Sequence, residues 1–493
     1  MKLYFKGHDF RYAAEQMMLT LFPSQRPEYP EGEPDGAAPA ALLTLERDGD
    51  ALYARSELWW EGGHYIASRT ERPREGEDER RAAMRLVRLA FYDAGVQALG
   101  GEPPWGALTG VRPVKLPTKW MSAGESAETA RSRLRELYRV EPGRAALTVD
   151  CARAALDTKR GIDKQGVSLY IGIPFCPTRC AYCSFISADV QRALVLVEPY
   201  VDALCREIAL TGRLLRERGL YVHTAYMGGG TPTTLSAGQL ERVLGAARRE
   251  LPMERCRELT VEAGRPDTIT GEKLAVLREQ GVERISINPQ SMDNAVLRAM
   301  GRAHTAEEIE AAMELSRTHF GGLVNMDLIA GLPTDSPAGF ARTLERVLDM
   351  GPDNVTVHTL ALKKGARLME RPEGLCSGED VAAMLGQGEV RLRGAGYAPY
   401  YLYRQKYMSG SFENVGWCRA GTVCAYNIIM MEELQTVLSL GAGGITKLVD
   451  PGTGRITRLS NPKYPTEYLN SWERIAADKA VAADFQQALA ARG

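Results

Sequence analysis

Three cysteines occupy one short segment that follows a β-branched and apolar run at residues 167–173. They are Cys176, Cys180 and Cys183, in the spacing C-x₃-C-x₂-C. Three thiolates at this spacing on one loop can bind three irons of a [4Fe–4S] cluster and leave the fourth iron without a protein ligand. An open iron of this kind can bind and reduce a small molecule. The segment therefore predicts a redox-active iron–sulfur site.

A structural zinc site and a disulfide framework are the alternatives for these cysteines. Zinc sites normally combine two C-x₂-C-like pairs, and no second pair with a fitting spacing follows. The chain has 9 cysteines, an odd number, and its polar start between Met1 and Asp9 is unlike the apolar stretch of a secretory signal. We therefore expect reduced thiols and a cytoplasmic protein.

The composition is that of an ordinary globular protein. Of the 493 residues, 44% are hydrophobic and 25% are charged, and the formal net charge is −1. A nearly neutral chain gives no electrostatic reason to expect nucleic acid or an anionic membrane as a partner. No segment of the sequence reaches the apolar length that spans a bilayer. The length is sufficient for two or three domains.

Short apolar runs alternate with amphipathic segments of helical length between residues 167 and 396. Repeated strand–helix–strand units imply parallel strands joined by right-handed crossovers, and six units favour an open (β/α)₆ partial barrel. The predicted strands are residues 167–173, 222–227, 258–262, 284–288, 323–328 and 354–360.

The predicted fold class is therefore α/β, with a further region on each side of the barrel. Residues 1–150 are predicted to form an N-terminal α+β accessory domain, which contains a Pro-, Gly- and Asp-rich loop at 23–38. The barrel is predicted over residues 151–385. Residues 386–493 are predicted to form a mostly helical C-terminal region that covers the substrate.

Polar residues fall at the carboxyl ends of the predicted strands, where a βα barrel gathers its reacting groups. Gly-Gly-Gly-Thr-Pro-Thr at 228–233 follows the second strand, and its glycines allow a close backbone approach to a ligand. Glu262 and Gln290 end the third and fourth strand segments, Arg302 follows one helix after the fourth, and Asp327 lies among apolar residues of the fifth. Each alone is more typical of a satisfied core or cap residue, but together they favour a site.

Six segments in a fixed order resemble one known family. They are Tyr-Ile-Gly-Ile-Pro-Phe-Cys at 170–176, the glycine segment at 228–233, Arg-Ile-Ser-Ile-Asn-Pro-Gln-Ser-Met at 284–292, Met-Gly-Arg-Ala-His at 300–304, Asp-Leu-Ile-Ala-Gly-Leu-Pro at 327–333 and Gly-Ala-Gly-Gly-Ile at 441–445. This set is similar to that of the oxygen-independent coproporphyrinogen III dehydrogenases, which are radical S-adenosylmethionine (SAM) enzymes. The N-terminal region and the cysteine segment are most similar to the HemZ branch of that family.

The resemblance implies roles for individual residues. Cys176, Cys180 and Cys183 would bind the [4Fe–4S] cluster, and Tyr170 and Arg302 would act in catalysis. The residues implied to bind a first SAM are Tyr170, Gly229, Glu262, Arg302 and Ile445. Those implied to contact a second SAM close by are Tyr182, Gly230, Thr231, Gln290, Asp327 and Ala361.

The implied activity is the decarboxylation of coproporphyrinogen III propionates to vinyl groups, which gives protoporphyrinogen IX in heme biosynthesis. A SAM-derived 5′-deoxyadenosyl radical takes the hydrogen, and reduced flavodoxin or ferredoxin is the implied electron donor. Arg367, Arg404 and Lys406 are candidates for the substrate carboxylates, because a guanidinium binds a carboxylate in a bidentate manner. Surface charge is the alternative interpretation of these three residues.

Two alternatives remain open. Phe185 stands where the established dehydrogenases of the family have a further cysteine, and the 411–418 segment also differs from the usual family form. In the first respect the chain is similar to the family's heme-chaperone branch, which implies heme binding without turnover. The other alternative is an auxiliary cluster built from Cys376, Cys418 and Cys424, although such cysteines are more often buried apolar residues.

Overall fold

The computed structural model describes residues 1–73, 76–183, 188–189, 193–362, 366–370, 374–405 and 412–492. These residues form two compact units. The first contains residues 1–149 together with Arg404 and Gln405, and the second contains the rest of the described chain.

The first unit is a four-stranded sheet with helices packed against it. Its strands, in spatial and chain order, are β1 (Lys2–Lys6), β2 (Ala40–Asp48), β3 (Ala51–Trp60) and β4 (Gly63–Glu71). Its helices are α1 (Arg11–Leu21), α2 (Glu79–Leu99), α3 (Lys115–Ser122), α4 (Ala127–Tyr138) and the start of α5 (Pro142–Arg160). Alternate residues of β3 are buried, so one face of the sheet meets the core against α1 and α2.

The second unit is built on a sheet of eleven strands. The strand β5 (Gly166–Ile173) leads to two short paired strands, β6 (Phe175–Cys176) and β7 (Ala188–Asp189). The strands that continue the parallel series from β5 are β8 (Tyr221–Gly229), β9 (Leu259–Gly264), β10 (Arg284–Ile287), β11 (Leu323–Ala330) and β12 (Asn354–Thr359). Every residue of β10 is buried, as expected for a parallel strand that is covered on both faces.

Helices connect the successive parallel strands. They are α6 (Leu194–Glu217), α7 (Ala237–Glu250), α8 (Gly271–Glu279), α9 (Asn294–Ala299), α10 (Ala306–His319), α11 (Pro337–Met350) and α12 (Gly378–Gly394). Short 3₁₀ helices lie at Pro232–Thr234, Pro266–Thr268 and Arg367–Met369. Local sequence determines several helix starts: Ser236 with Gln239, and Thr305 with Glu308, form capping boxes at α7 and α10.

The chain after α12 adds strands at both edges of the parallel series. In chain order its elements are β13 (Ala398–Arg404), β14 (Glu413–Cys418), α13 (Ala425–Glu432), β15 (Val437–Leu440), β16 (Ile445–Asp450), β17 (Arg455–Ser460), α14 (Pro465–Leu469) and α15 (Trp472–Ala491). The spatial order of the sheet is β13-β14-β12-β11-β10-β9-β8-β5-β15-β16-β17.

This arrangement confirms the predicted α/β class and its six strand–helix units. Within the described chain the sheet has two edges, β13 and β17, so the barrel is open. The boundary expected at residue 385 falls inside α12, which is the crossover helix after β12. Among the described helices, none combines the length and apolar character that a bilayer crossing requires.

Candidate functional site

The three predicted cluster ligands lie on the loop that follows β5. Cys176 ends β6, Cys180 and Cys183 come next on the loop, and all three are partly buried. The Sγ of Cys176 lies 3.5 Å from Oγ1 of Thr231. In the described part of the chain no three His, Cys, Asp or Glu side chains converge on one metal-ion position. A [4Fe–4S] cluster takes each thiolate on a different iron and does not require such convergence.

Connections after other strands hold this cysteine loop in place. Arg265, just after β9, donates a hydrogen bond of 2.6 Å to Oγ1 of Thr178, between the first two cysteines. The backbone N–H of Ala181 donates to the carbonyl of Met300 at 3.1 Å, and the N–H of Leu368 donates to the carbonyl of Ala181 at 3.0 Å. The loop is therefore supported from the connections that follow β9, α9 and β12.

The glycine segment after β8 lies against the same loop. The N–H of Gly230 donates to the carbonyl of Ile173, and that of Thr231 donates to the carbonyl of Phe175, both at 2.7 Å. Gly229 has a φ of +115°, and a Cβ on Gly230 would lie 2.4 Å from the carbonyl oxygen of Phe175. Neither position tolerates a side chain without rearrangement, so glycine is required for this close approach.

Glu262 lies near the carboxyl end of β9, beside the glycine segment. Its carboxylate accepts hydrogen bonds from the Tyr226 hydroxyl at 2.7 Å and from the Gly229 N–H at 3.3 Å. Burial raises the pKa of Glu262 to about 7, and the nearby Asp327 contributes to the rise. The ring of Tyr226 is stacked with that of Tyr170, with 6.4 Å between centroids. A carboxyl of this kind is readily ionised by a cationic ligand.

Arg302 is buried, and part of its guanidinium has no partner. One nitrogen, Nη2, donates to the hydroxyl of Tyr182 at 2.8 Å. Nε and Nη1 are buried without a hydrogen-bond partner among the described residues. The Oε1 atom of Gln290 is likewise buried without a partner there, and Gln290 has a φ of +66°. Orphaned buried groups of this kind are costly in a protein and are typical of a ligand site.

Asp327 lies on β11 next to Gln290. The Gln290 N–H donates to the Asp327 carbonyl at 2.9 Å, and Nδ2 of Asn325 donates to Oδ1 of Asp327 at 2.8 Å. Nε2 of His358 on β12 lies 3.9 Å from Oδ2 of Asp327. Burial favours the neutral acid, but the nearby His358 imidazole and the hydrogen bond from Asn325 outweigh it and lower the pKa of Asp327.

His358 was missed by sequence reasoning, although a signal was present. On β12, Asn354, Thr356 and His358 alternate with two valines, so polar residues recur with the period of a strand. The polar face of β12 therefore points to the same interior as Asp327.

The remaining predicted site residues lie at the same end of the sheet. Ala361 lies two residues after the end of β12, and Ile445 begins β16 and is 45% exposed. The structure thus brings together the pairs Cys176–Thr231, Glu262–Gly229, Arg302–Tyr182 and Gln290–Asp327.

Two of the expected carboxylate-binding cations are engaged by backbone groups. Arg404 is 8% exposed, donates to the carbonyl of Leu108 at 2.5 Å and lies over the ring of Trp105. This guanidinium is therefore engaged inside the first unit and is not surface charge, and its role as a substrate ligand stays a prediction. Arg367 donates to the carbonyl of Arg179 in the cysteine loop. Lys406, like Phe185, lies outside the described residues.

The auxiliary cluster is also contradicted. The Sγ of Cys376 donates to the carbonyl of Leu332, beyond the carboxyl end of β11. The Sγ of Cys424 donates to Glu258, which precedes β9, and Cys418 pairs with Asn354 at the start of β12. Two of the three cysteines therefore lie at the opposite end of the strands from the third.

Comparisons with known proteins agree with this geometry. The family model described as the Radical SAM superfamily matches residues 170–347. The chain is 41% identical over 381 residues to the oxygen-independent coproporphyrinogen-III oxidase-like protein HemZ of Bacillus subtilis, with 76% of each chain covered. It is 28% identical over 305 residues to the heme chaperone HemW of Haemophilus influenzae, which covers 62% of this chain and 76% of that protein.

One solved structure is similar in fold. The coproporphyrinogen III oxidase HemN from Escherichia coli, a radical SAM enzyme, matches with a TM-score of 0.52 and 24% identity, over 66% of this chain and 73% of that chain. This likeness concerns the fold alone. With the similarity to HemZ over three quarters of both chains, this protein belongs to the radical SAM superfamily and, within it, to the family of oxygen-independent coproporphyrinogen-III oxidase-like proteins, whose cofactors are a [4Fe–4S] cluster and SAM.

Proposed function

We propose that this protein converts propionate side chains of coproporphyrinogen III to vinyl groups and so forms protoporphyrinogen IX. The observation that carries the proposal is the set of orphaned polar atoms beside the cysteine loop, on Arg302 and Gln290. We infer that these atoms would bind polar groups of a SAM molecule held at the open iron. The similarity to HemZ supports the choice of porphyrinogen as substrate.

The residues present fit the two cofactors. Cys176, Cys180 and Cys183 are reduced thiols on one loop, and they would hold the cluster. When bound, the reduced cluster and SAM supply a carbon radical that can abstract hydrogen from the substrate, and the protein contributes orientation and the exclusion of side reactions.

The chain's own residues would position the first SAM. Glu262, held by the Gly229 N–H, would bind its amino group together with the Gly229 carbonyl, and the free nitrogens of Arg302 would bind its carboxylate. Tyr170 would pack against the sulfonium, and Ile445 would contact the adenine side. Arg302 and Tyr170 are thereby the proposed catalytic residues.

A second SAM would lie on the neighbouring strands. Gln290 carries an acceptor without a partner among the described residues, and Asp327 is held as a carboxylate by its neighbours. The other proposed contacts of this molecule are Tyr182, Gly230, Thr231 and Ala361. We also propose reduced flavodoxin or ferredoxin as the electron donor.

An anaerobic assay tests the proposal. Reconstituted, reduced protein with SAM and coproporphyrinogen III should form vinyl product, detected by mass, and should release CO₂ and methionine in proportion. Cys180→Ala, which removes one cluster ligand, should abolish both cluster assembly and SAM cleavage. Methionine formation that is indifferent to the porphyrinogen would contradict the dehydrogenase activity.

Heme binding without turnover is the second candidate function. It is favoured by the similarity to the heme chaperone HemW and by Phe185 at the position of the missing cysteine. This function would show stoichiometric heme binding and heme transfer to an apo-acceptor, while coproporphyrinogen III remains intact in the assay above.

A further inference from the structure

A fully buried ion pair lies behind the loop at residues 441–444. Glu207 on α6 and Lys479 on α15 have side chains that are 0% and 2% exposed, and Oε1 of Glu207 lies 3.0 Å from Nζ of Lys479. Burying two charges costs desolvation energy that a single contact repays poorly, and a well-packed apolar pair at such a place is often as stable. The pair therefore calls for an explanation beyond stability.

Glu207 is bonded to the loop itself. Its Oε2 accepts hydrogen bonds from the Gly441 N–H at 2.8 Å and from the Tyr468 hydroxyl at 2.5 Å. Its Oε1 accepts from Nδ2 of Asn461 at 3.0 Å, as well as from Lys479. Each carboxylate oxygen thus has two partners, and the four partners lie in the loop, in α14, in α15 and directly after β17.

Asn461 connects the same charge to both ends of the loop. Its Nδ2 also donates to the Gly441 carbonyl at 2.8 Å, and its N–H donates to the Gly444 carbonyl at 2.9 Å. Nζ of Lys479 lies 3.2 Å from Oδ1 of Asn461 and orients the amide. The ion pair and one asparagine therefore determine where the loop begins and ends.

The loop is pressed against the end of β5. Gly441 has a φ of +83°, and a Cβ there would lie 2.4 Å from the carbonyl oxygen of Gly172. The Tyr200 hydroxyl donates to that same carbonyl at 2.6 Å and accepts from the Ala442 N–H at 2.9 Å. Gly172 lies between Tyr170 and Cys176 in sequence, so the loop borders the strand end that carries the proposed SAM contact and the first thiol.

We propose that Glu207 and Lys479 are positioning residues for SAM, which hold the 441–444 loop and the adjoining Ile445 against the carboxyl end of β5. This inference rests on the SAM site of the proposed function. It makes the C-terminal helix α15 a component of the SAM site, although α15 itself does not reach the cysteine loop through any of these bonds.

The test uses the full chain and two measurements. Amide hydrogen exchange of the segment 437–446 is measured in the protein without cofactors, and SAM affinity is measured by equilibrium dialysis after cluster reconstitution. Lys479→Met should accelerate exchange in this segment and weaken SAM binding, each about tenfold, because it leaves Glu207 buried without its cation. Tyr468→Phe, which removes one hydrogen bond and no charge, should produce smaller changes of the same sign.

A matched control separates positioning from general stability. Arg85 is also a buried cation held by two carboxylates, those of Glu71 and Glu77 at 2.9 Å each, but in the first unit. Arg85→Met should leave the exchange of 437–446 and the SAM affinity unchanged.

Either of two results would overturn the inference. One is uniform acceleration of exchange over β8–β12 as well as the loop, and the other is SAM affinity that is unchanged in both Lys479→Met and Tyr468→Phe. If Lys479→Met does not fold, Tyr468→Phe decides the question. Hydrogen exchange and SAM affinity are both measured without porphyrinogen. Failure to turn over porphyrinogen, with SAM affinity intact, would therefore contradict the proposed function and leave this inference standing.

Discussion

At the scale of single residues, the site combines groups whose charge states depend on their surroundings. Glu262 is held partly protonated near neutral pH, whereas Asp327, two strands away, is held as a carboxylate. Arg302 carries a buried charge with two nitrogens that lack a partner in the described chain. Such groups cost folding energy and become satisfied only when a ligand binds.

Glu262 should make stability depend on pH. Its pKa is raised from 4.5 to about 7 in the folded protein, so folding favours the protonated acid, and this contribution is present below pH 4.5 and lost as the pH rises through about 7. Denaturant unfolding of the cofactor-free protein gives the decrease in the free energy of unfolding between pH 5 and pH 8. This decrease should be about 2 kcal/mol smaller in Glu262→Gln than in the parent chain. An identical pH profile for the variant and the parent chain would show that Glu262 has no raised pKa.

Arg302 should matter for SAM binding but contribute little to the stability of the folded protein. Arg302→Met removes the orphaned guanidinium, so the free energy of unfolding of the cofactor-free protein should fall by less than about 1 kcal/mol or rise. The same change should weaken SAM binding at least about tenfold, because a charge-assisted hydrogen bond to the SAM carboxylate is lost. A large loss of stability with unchanged SAM affinity would assign Arg302 a purely structural role.

At the scale of elements, the active end of the sheet depends on how loops support one another. The cysteine loop is bonded to the connections after β9, α9 and β12, and the glycine segment after β8 is bonded to β5 and β6. Loops of this kind lack a periodic hydrogen-bond ladder, so a few side chains decide their order.

Arg265 should be needed for cluster assembly. Its guanidinium, 4% exposed, forms a double contact of 3.0 Å with Asp267 and donates to Thr178. Arg265→Met should accelerate amide exchange over residues 176–183 and lower the iron bound after reconstitution to well below about four per chain.

Lys273→Met is the matched control for Arg265→Met. Lys273 donates to the carbonyl of Thr233, in the connection after β8, and to that of Thr268, in the connection after β9, and neither bond involves the cysteine loop. The Lys273→Met variant should therefore bind about four irons per chain after reconstitution. Equal iron content in both variants would show that Arg265 is not needed to hold the cysteine loop for cluster assembly.

At the scale of the whole molecule, the two ends of the parallel strands carry different kinds of groups. The carboxyl end gathers the thiol loop and the proposed SAM contacts. The other end contains a buried network in which Glu258 accepts from the N–H groups of Ala425 and Tyr426, and Arg284 donates to Thr422. This division is typical of barrels in which one end is catalytic and the other stabilises the fold.

The iron content should therefore not depend on the cysteines outside the loop. The triple variant Cys376→Ala, Cys418→Ala and Cys424→Ala should keep about four irons per chain after reconstitution, with some loss of thermal stability from the buried thiols. Iron and sulfide counting is the measurement. A lower iron content in this variant, with the cysteine loop intact, would support the hypothesis of an auxiliary cluster.

The amino-acid sequence by itself determined the features that rest on local pattern. The spacing of Cys176, Cys180 and Cys183 places three thiols on one loop, and the alternation of apolar strands with capped amphipathic helices specifies the parallel α/β core. The helix α7 begins directly after Ser236, because Ser236 and Gln239 form a capping box from residues that are neighbours in the chain. Periodicity and capping involve neighbouring residues, so they can be read directly from the chain.

Only the tertiary structure decided which partner each charged residue has. Arg404 looked available for a substrate carboxylate and is instead buried against Leu108 and Trp105, whereas Glu207 and Lys479 attracted no prediction and are bonded behind the 441–444 loop. Glu207 and Gly441 are 234 residues apart in the chain. The pKa of a carboxyl or the orientation of a guanidinium depends on groups brought together by folding, and sequence spacing carries no information about such distant neighbours.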